Sequence, residues 1–550
     1  MIRGDRNKIN LTDDNFADFI TNDYLYVDKT AFIEHIFEDS SNVLLFTRPR
    51  RMGKSLNLKT LHTFADVKND SARLFCGLCI SKSHIFKNAN KYCVIYFDFK
   101  NYGTSSLENF KAALKMELQY IAEKYIAPDR LQPLVFKYLN NDDYSALGIL
   151  ALMRNMCECY GEKVLLLIDE YDKPIIDTIS AKHHAKIKEY VTEVMTVLLK
   201  GNPYLFKAVI TGVTRMAKEN MFSNLNNLEV YDIFRSSVYD NDFSLTEQEL
   251  TELVPSEKSD KLKELGEWYN NVRIGDHMLY NIYSVMAYLK NGCKLETYWS
   301  NTGNVNLLTD LITPARAGQL SRMLTEPDYA HETYLDPKLD FSRLAKNFDD
   351  ACYYSLAVQA GYLTYIPVEG TAAYEKLYKV FIPNMEARHT WKTQILSHMG
   401  FRPYNDFIGI FANIEHTDEF DRKLTEFISM KLSYFDTDSG ELERTYHIFI
   451  FGMVLLLGYK CTSNLEAGFG RYDILIEAPK FSAIIEFKQS KLIKSLGKDV
   501  QVALKQIDDK QYYSPVLERN LPIYKIGIAC FKKSCMVKSV LHMEQKHGQN

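Results

Sequence analysis

Two groups of residues have the types and spacing that phosphate chemistry requires. The first is Arg48-Pro49-Arg50-Arg51-Met52-Gly53-Lys54-Ser55, which follows a short apolar run and opens a helical stretch. A phosphate site at a helix N-terminus needs inward-pointing backbone N–H groups, an ammonium for the β- and γ-phosphates, and a hydroxyl for Mg2+. Gly53, Lys54 and Ser55 fit those needs, and Arg51 in the same loop is a further candidate ATP contact. Arg48 stands where the first glycine of such loops usually is. Gly-Lys-Ser alone is a frequent chance match, so its context decides. The apolar run Val164 to Ile168 ends in Asp169-Glu170. There Asp169 would hold the Mg2+ shell and Glu170 would activate the attacking water. The bland alternative is an acidic pair that caps a helix. Arg215, after Thr211-Gly212-Val213-Thr214, either reaches the γ-phosphate of ATP or is a solvated side chain beyond a turn.

The second group is Asp473 with Glu486-Phe487-Lys488. Strand side chains alternate faces, so Glu486 and Lys488 point the same way and Phe487 points into packing. Asp473 falls on the preceding arm of a predicted hairpin, where a cross-strand neighbour is close. Two carboxylates suit a hard cation, Mg2+ or Mn2+, which acidifies water and stabilises charge on a scissile phosphate. Lys488 would position that water or steady the developing charge. Glu443 is either a further metal ligand or an acid at a helix N-terminus. His447, one turn on, is expected to be packed or hydrogen-bonded rather than catalytic. Gln506 and Lys510, four apart on one helical face, are candidate nucleic-acid contacts, although a solvated face has the same spacing.

These residues need elements to hold them. Val43 to Phe46, Tyr92 to Phe99, Val164 to Ile168 and Ala208 to Thr211 read as buried strands. Between them lie helical stretches such as Leu107 to Tyr125 and Lys186 to Leu199. Strands alternating with helices predict a parallel sheet covered on both faces. Residues 240–400 read as mostly helical. The last part reads as helices from Phe420 to Tyr434 and Leu442 to Leu457. Strands follow at 471–477, 481–488 and 523–531, with a helix between the last two. The expected class is α/β throughout. A P-loop ATPase core (1–235) precedes a helical lid and linker (236–400), for which a winged-helix-like arrangement is one form. A restriction-endonuclease-like α/β domain (401–550) ends the chain.

Length agrees, since 550 residues exceed what one core holds at roughly 100–200 residues per domain. With 36 Tyr and 31 Phe the chain is not a disordered one. The net charge of -4 excludes a protein basic throughout. Residues 486–550, however, carry 12 Lys+Arg against 6 Asp+Glu, a surplus of six that could meet phosphate. Residues 1–10 are polar and charged, unlike a secretion signal. The longest apolar stretch, Ile448 to Gly458, is shorter than the about 20 residues that span a bilayer. A cytoplasmic protein with reduced thiols, away from membranes, is therefore expected. Cys76 and Cys79 form a CxxC near His84, but no second pair stands at zinc spacing.

Together the motifs resemble a bacterial family that joins an AAA-ATPase-like region to a C-terminal PD-(D/E)XK nuclease-superfamily domain. Tyr26-Val27-Asp28-Lys29-Thr30, Arg48 to Ser55, Asp169-Glu170-Tyr171-Asp172 and Thr211 to Arg215 look like its N-terminal elements. Trp268 to Asn270, Tyr280 to Ser284 and Tyr298 to Gly303 look like its lid motifs. Gln359 to Thr364 and Ile382 to Asn384 resemble the join to the nuclease. Glu443 to His447, Gly470 to Asp473 and Glu486 to Lys488 are similar to the nuclease core. The missing first glycine is a trait of that family. Asn271-Val272 stands where Gly-Tyr is common, and Tyr472 replaces the proline of the motif's name. The resemblance implies ATP at Lys54, Ser55 and Asp169 and a divalent metal at Asp473 and Glu486. It also allows a homo-oligomer in which a neighbour supplies an arginine. Two functions follow: an ATP-dependent or ATP-regulated nuclease acting on DNA, or a nucleotide-driven switch or scaffold whose nuclease-like domain binds nucleic acid or protein without cutting.

Overall fold

The computed structural model describes residues 2–542 apart from 132–145, 180, 216–226, 255–260, 300–307, 309–310, 313, 326–327, 340–348, 370–376, 399–403, 433–445, 448–449, 452, 455–458, 464–465, 468–469 and 533. Two compact units emerge. One is Met1–Gly303 with Glu332–Ala387; the other is Asn304–His331 with Arg388–Asn550. Among the described residues, no helix is long and apolar enough to cross a membrane.

The first unit is built on a five-stranded sheet: Val43–Thr47 (β1), Val94–Asp98 (β2), Val164–Asp169 (β3), Leu205–Gly212 (β4) and Leu228–Tyr231 (β5). Its order is β2-β3-β4-β1-β5 and every pairing is parallel. Every residue of β1 and β3 is buried, as unbroken apolar runs covered on two faces must be. Lys54–Ala65 (α1) follows β1. Leu107–Tyr125 (α2) starts where the Ser106 side chain accepts the Asn109 N–H, and it buries Phe110, Leu114, Leu118 and Ile121 at helical spacing. Ala146–Tyr160 (α3) and His184–Leu199 (α4) flank β3 in sequence.

The sheet departs from the sequence reading at its edge. β5 was not expected: its four residues are only half-buried, too mixed to read as a strand. Residues 240–400 also hold more extended chain than expected. Glu247–Leu253 (α5), Lys261–Tyr269 (α6), Ile282–Lys290 (α7) and Asp350–Gln359 (α8) are helical. Asn270–Ile274 and His277–Tyr280 nevertheless form a hairpin, and Thr364–Pro367 pairs antiparallel with Leu377–Phe381. In Leu377–Phe381 buried and half-buried residues alternate, a period of two too short to stand out beside the helices.

In the second unit, Tyr404–Ala412 (α9) and Thr417–Leu432 (α10) precede a mixed sheet. Its strands are Lys460–Ser463 (β6), Ile474–Glu477 (β7), Ser482–Gln489 (β8), Ile523–Phe531 (β9) and Ser534–His542 (β10), in that spatial order. β7 and β8 pair antiparallel. β8 and β9 pair parallel, and Leu496–Asp509 (α11) makes the crossover. Phe407, Phe411, Leu424 and Ile428 of the helices pack with Ile474, Ile485, Phe487 and Ile526. The edge strands β6 and β10 were not expected, because Lys-Cys-Thr-Ser and the alternating run of β10 lack a continuous apolar signal.

The ends of β3 and β4, where a parallel sheet presents its ligand crevice, are tied together by one carboxylate. Asp172 Oδ2 accepts the Val213 N–H (3.1 Å), the Thr214 N–H (2.8 Å) and the Thr214 hydroxyl (2.8 Å). Tyr171 lies against Gly212 so closely that an added Cβ there would meet its ring at 2.6 Å and Asp172 Oδ1 at 2.8 Å. Gly212→Ala is therefore expected to destabilise the first unit by about 2 kcal/mol, as overpacking does. Thermal unfolding measures this, and an unshifted midpoint would contradict the packing described.

Candidate functional site

The loop between β1 and α1 turns on two residues of left-handed backbone, Arg51 at φ +64° and Gly53 at φ +82°. Alternating backbone hands turn successive N–H groups toward one concavity, an arrangement that receives anions. Lys54 begins α1 and is only 4% exposed; its Nζ donates to the Arg48 carbonyl (3.0 Å) and the Pro49 carbonyl (2.9 Å). Ser55 Oγ donates to Asp169 Oδ2 at 2.5 Å, and the Thr211 hydroxyl donates to Asp169 Oδ1. Glu170 follows in a left-handed conformation (φ +53°). Burial pushes its carboxyl above the ordinary range against the opposing charge of Lys54, and burial likewise pushes the Lys54 ammonium down. The Ser55 hydroxyl and Asp169 carboxylate, already in contact, are hard oxygen donors that fit Mg2+.

Arg48 accounts for the missing glycine. Its wholly buried side chain runs beneath the loop and donates through Nη1 to the carbonyls of Thr47 (3.0 Å) and Tyr231 (2.7 Å), linking β1 to β5. The guanidinium lies 5.2 Å from the centre of the Phe243 ring. Burial pushes its pKa down to about 10, opposed by Asp240, Asp232 and Asp242. A side chain directed into the core leaves the cradle clear without glycine's help.

Lys54, Ser55 and Glu170 line a cavity of about 490 Å³. Distant chain also lines it, with the aliphatics Leu11, Val27, Ile282 and Met286 beside the charged Asp13, Asp14 and Lys29. Sequence reading quoted the motifs that hold Val27 and Ile282 but assigned them no place beside the phosphate loop, and it did not single out Leu11 or Met286. Two expected contacts are otherwise engaged. The Arg51 guanidinium stacks 4.3 Å from the centre of the Tyr283 ring. Arg215 Nη1 donates to Asp232 Oδ2 at 3.0 Å, and its backbone N–H donates to Gln359 Oε1 at 3.0 Å.

In the second unit the register places Ile474 opposite Ile485, so Asp473, one residue before β7, comes opposite Glu486. Asp473 Oδ2 accepts the Phe487 N–H at 2.8 Å. Lys488 Nζ donates to Glu486 Oε1 at 2.8 Å and to the Phe487 carbonyl at 2.9 Å. Glu486 is 3% exposed and Lys488 26% exposed, so the buried carboxylate faces a cation that itself reaches solvent. The donor set fits a hard divalent metal, with the ammonium marking where positive charge is accepted. His447 Nε2 lies 3.0 Å from the Asp473 carbonyl oxygen, with its ring 5.6 Å from that of Phe487. It is a packed, hydrogen-bonded residue that holds the Asp473 backbone. Tyr472, in the place of proline, is buried and shares a 2.6 Å hydrogen bond with Thr462. Gln506 donates to the Tyr512 hydroxyl at 3.1 Å. Lys510 is exposed beside Gly470, where an added Cβ would lie 3.6 Å from its Cδ. Glu443 lies outside the described residues. Cys76 and Cys79 are exposed free thiols, and His84 approaches Glu38 instead, at 3.7 Å.

A parallel sheet with a phosphate loop, followed by a mixed sheet with an acidic pair and a lysine, defines a nucleotide-site protein joined to a nuclease-like fold. Comparison with known proteins agrees. Residues 11–222 match a family described as a predicted AAA-ATPase, and residues 441–540 match the PD-(D/E)XK nuclease superfamily. The chain carries an AAA-ATPase-like domain and a PD-(D/E)XK nuclease superfamily domain. A relative from Azotobacter chroococcum mcd 1, an uncharacterized protein in the vnfD 5' region, is 26% identical over 517 residues, 92% of this chain and 93% of its own.

Lys488→Ala would remove the ammonium that donates to the buried Glu486 carboxylate. The metal-free variant is expected to lose about 3 kcal/mol of stability in the second unit, and millimolar Mn2+ should restore much of the loss. Melting curves with and without Mn2+ test this; a loss indifferent to cation would separate Glu486 from metal binding.

Proposed function

We propose that the chain binds and hydrolyses ATP in its first unit and cleaves phosphodiester bonds of DNA in its second, with nucleotide driving or regulating the cutting. What supports the reading is the register, which, continued one residue past Ile474 and Ile485, sets Asp473 opposite Glu486, with Lys488 on the second carboxylate. Asp473 and Glu486 would hold a divalent cation, which when bound polarises the scissile phosphate and acidifies water. The Phe487 N–H fixes the Asp473 carboxylate, and His447 fixes its backbone. Lys488 is placed to stabilise negative charge developing on phosphate oxygens. Lys510, beside Gly470, is the better placed of the two backbone-contact candidates, since Gln506 is engaged by Tyr512.

In the first unit, Lys54 would leave its two carbonyl partners for phosphate oxygens, and Ser55 with Asp169 would hold Mg2+. Glu170 would take a proton from the attacking water. The family resemblance and the surplus of basic residues after 486 favour nucleic acid as the substrate.

The second reading is a nucleotide-driven switch whose C-terminal unit binds without cutting. One observation favours it: Arg215, which follows β4, is committed to Asp232. Slow turnover with tight nucleotide retention would be its mark.

Cleavage of single- and double-stranded DNA in Mg2+ or Mn2+, with and without ATP, separates the two. The wild type is expected to cut, and Lys488→Ala to cut at least about a hundredfold more slowly. Lys54→Ala should lose the effect of ATP. Equal behaviour of wild type and Lys488→Ala would end the nuclease reading. ATP hydrolysis should also fail as pH falls, at a value above that of an ordinary glutamate. The raised Glu170 carboxyl takes up its proton, and loses its base form, earlier in an acid titration. A pH profile of kcat measures this, and a flat profile down to the ordinary glutamate range would contradict it.

A further inference from the structure

The motif residues at Tyr298-Trp299 and Gln359 to Tyr362, with Glu386 beyond them in sequence, are not among the residues that line the phosphate cavity, yet they come together beside its loop. Trp299 is 3% exposed, and its indole Nε1–H donates to the Arg50 carbonyl at 3.2 Å. Its ring centre lies 4.6 Å from that of Tyr362. Beside them Gly361, at φ +85°, sits so close to the loop that an added Cβ would be 3.0 Å from Pro49 Cβ and 3.6 Å from the Trp299 ring. A side chain at this position would be strained in backbone and pressed against the loop at once.

The segment that carries Trp299 is held by one buried carboxylate. Glu386 Oε1 accepts the backbone N–H groups of Tyr298 and Trp299, each at 2.6 Å. Glu386 Oε2 accepts the Ser284 hydroxyl at 2.8 Å. Ser284 belongs to α7, whose Tyr283 stacks on the Arg51 guanidinium and whose Ile282 and Met286 line the cavity. Glu386 therefore connects the wall of the nucleotide cavity to the support behind its phosphate loop. Burial pushes its carboxyl up to about 7 against the three donors, each of which favours the charged form.

We propose that Trp299 is a positioning residue for nucleotide phosphates, held in place by Glu386. The reason is the geometry of the peptide group. In a trans peptide the carbonyl and the following N–H point in opposite directions. An indole that fixes the Arg50 carbonyl turns the Arg51 N–H away from Trp299, and Arg51 lines the cavity with Gly53 and Lys54. The left-handed backbone of Arg51 then continues the anion cradle. Trp299 touches no phosphate itself; it sets the direction of a group that does. The inference rests on the ATP reading above and names what holds that site in shape.

The test compares wild type, Trp299→Phe and Glu386→Gln by displacement of a fluorescent ATP analogue with ATP, ADP and adenosine, in the presence of Mg2+. Trp299→Phe keeps an aromatic ring and removes the N–H. ATP and ADP are expected to weaken about five- to tenfold, the scale of one lost hydrogen bond, while adenosine and the melting midpoint stay near wild type. Glu386→Gln, which retains an acceptor without its charge, should weaken the same two ligands to a smaller degree. Unchanged affinities in both variants would overturn the proposal. A parallel loss for all three ligands together with stability would overturn it too, reducing Trp299 to packing. A wild type that does not bind the fluorescent nucleotide would instead sink the ATP reading, and the inference with it.

Discussion

A carboxylate taken out of water must be met by donors or by positive charge, and that constraint shapes every part of this protein that bears on phosphate. Asp169 is wholly buried and is met by Ser55, Thr211 and the Glu170 N–H. Asp172 is wholly buried and is met at the end of β4. Glu386 gathers two backbone N–H groups and a serine. Glu486 is met by Lys488. Asp169 and Glu386 take donors on both oxygens, whereas Asp172 takes its three donors on Oδ2 alone.

The two units solve the positioning problem differently. In the first, the reactive groups stand at the ends of parallel strands, and a loop of alternating backbone hand brings N–H groups to one point. Strand order brings Lys54 and Asp169 together, since β1 and β3 both neighbour β4. In the second, the groups lie on adjacent antiparallel strands, where register alone opposes Asp473 and Glu486. Phe487 points into the core between Glu486 and Lys488, anchoring the strand that carries both.

Much of this was legible in the sequence. Unbroken apolar runs such as Val164 to Ile168 announce strands buried on both faces, and Gly-Lys-Ser after one of them places a helix start. The Glu486-Phe487-Lys488 triplet already contains its own alternation of faces. What was hidden lay in contacts between distant residues or in weak local signals. The half-buried β5 and the edge strands β6 and β10 have polar residues enough to pass for loops. Arg48 read only as the residue in the place of a first glycine, because its carbonyl partner Tyr231 is 183 residues away. Glu386 carried no signal, since its partners Tyr298 and Trp299 lie 88 and 87 residues upstream. Asp172 read as a motif letter and is the clasp between two strand ends.

The proposed cutting chemistry requires a hard cation shared by Asp473 and Glu486. Anomalous scattering from crystals soaked in Mn2+ observes it directly. The account predicts a peak within coordination distance of both Asp473 and Glu486. Full Mn2+ occupancy at other surface carboxylates with no density between those two residues would contradict it.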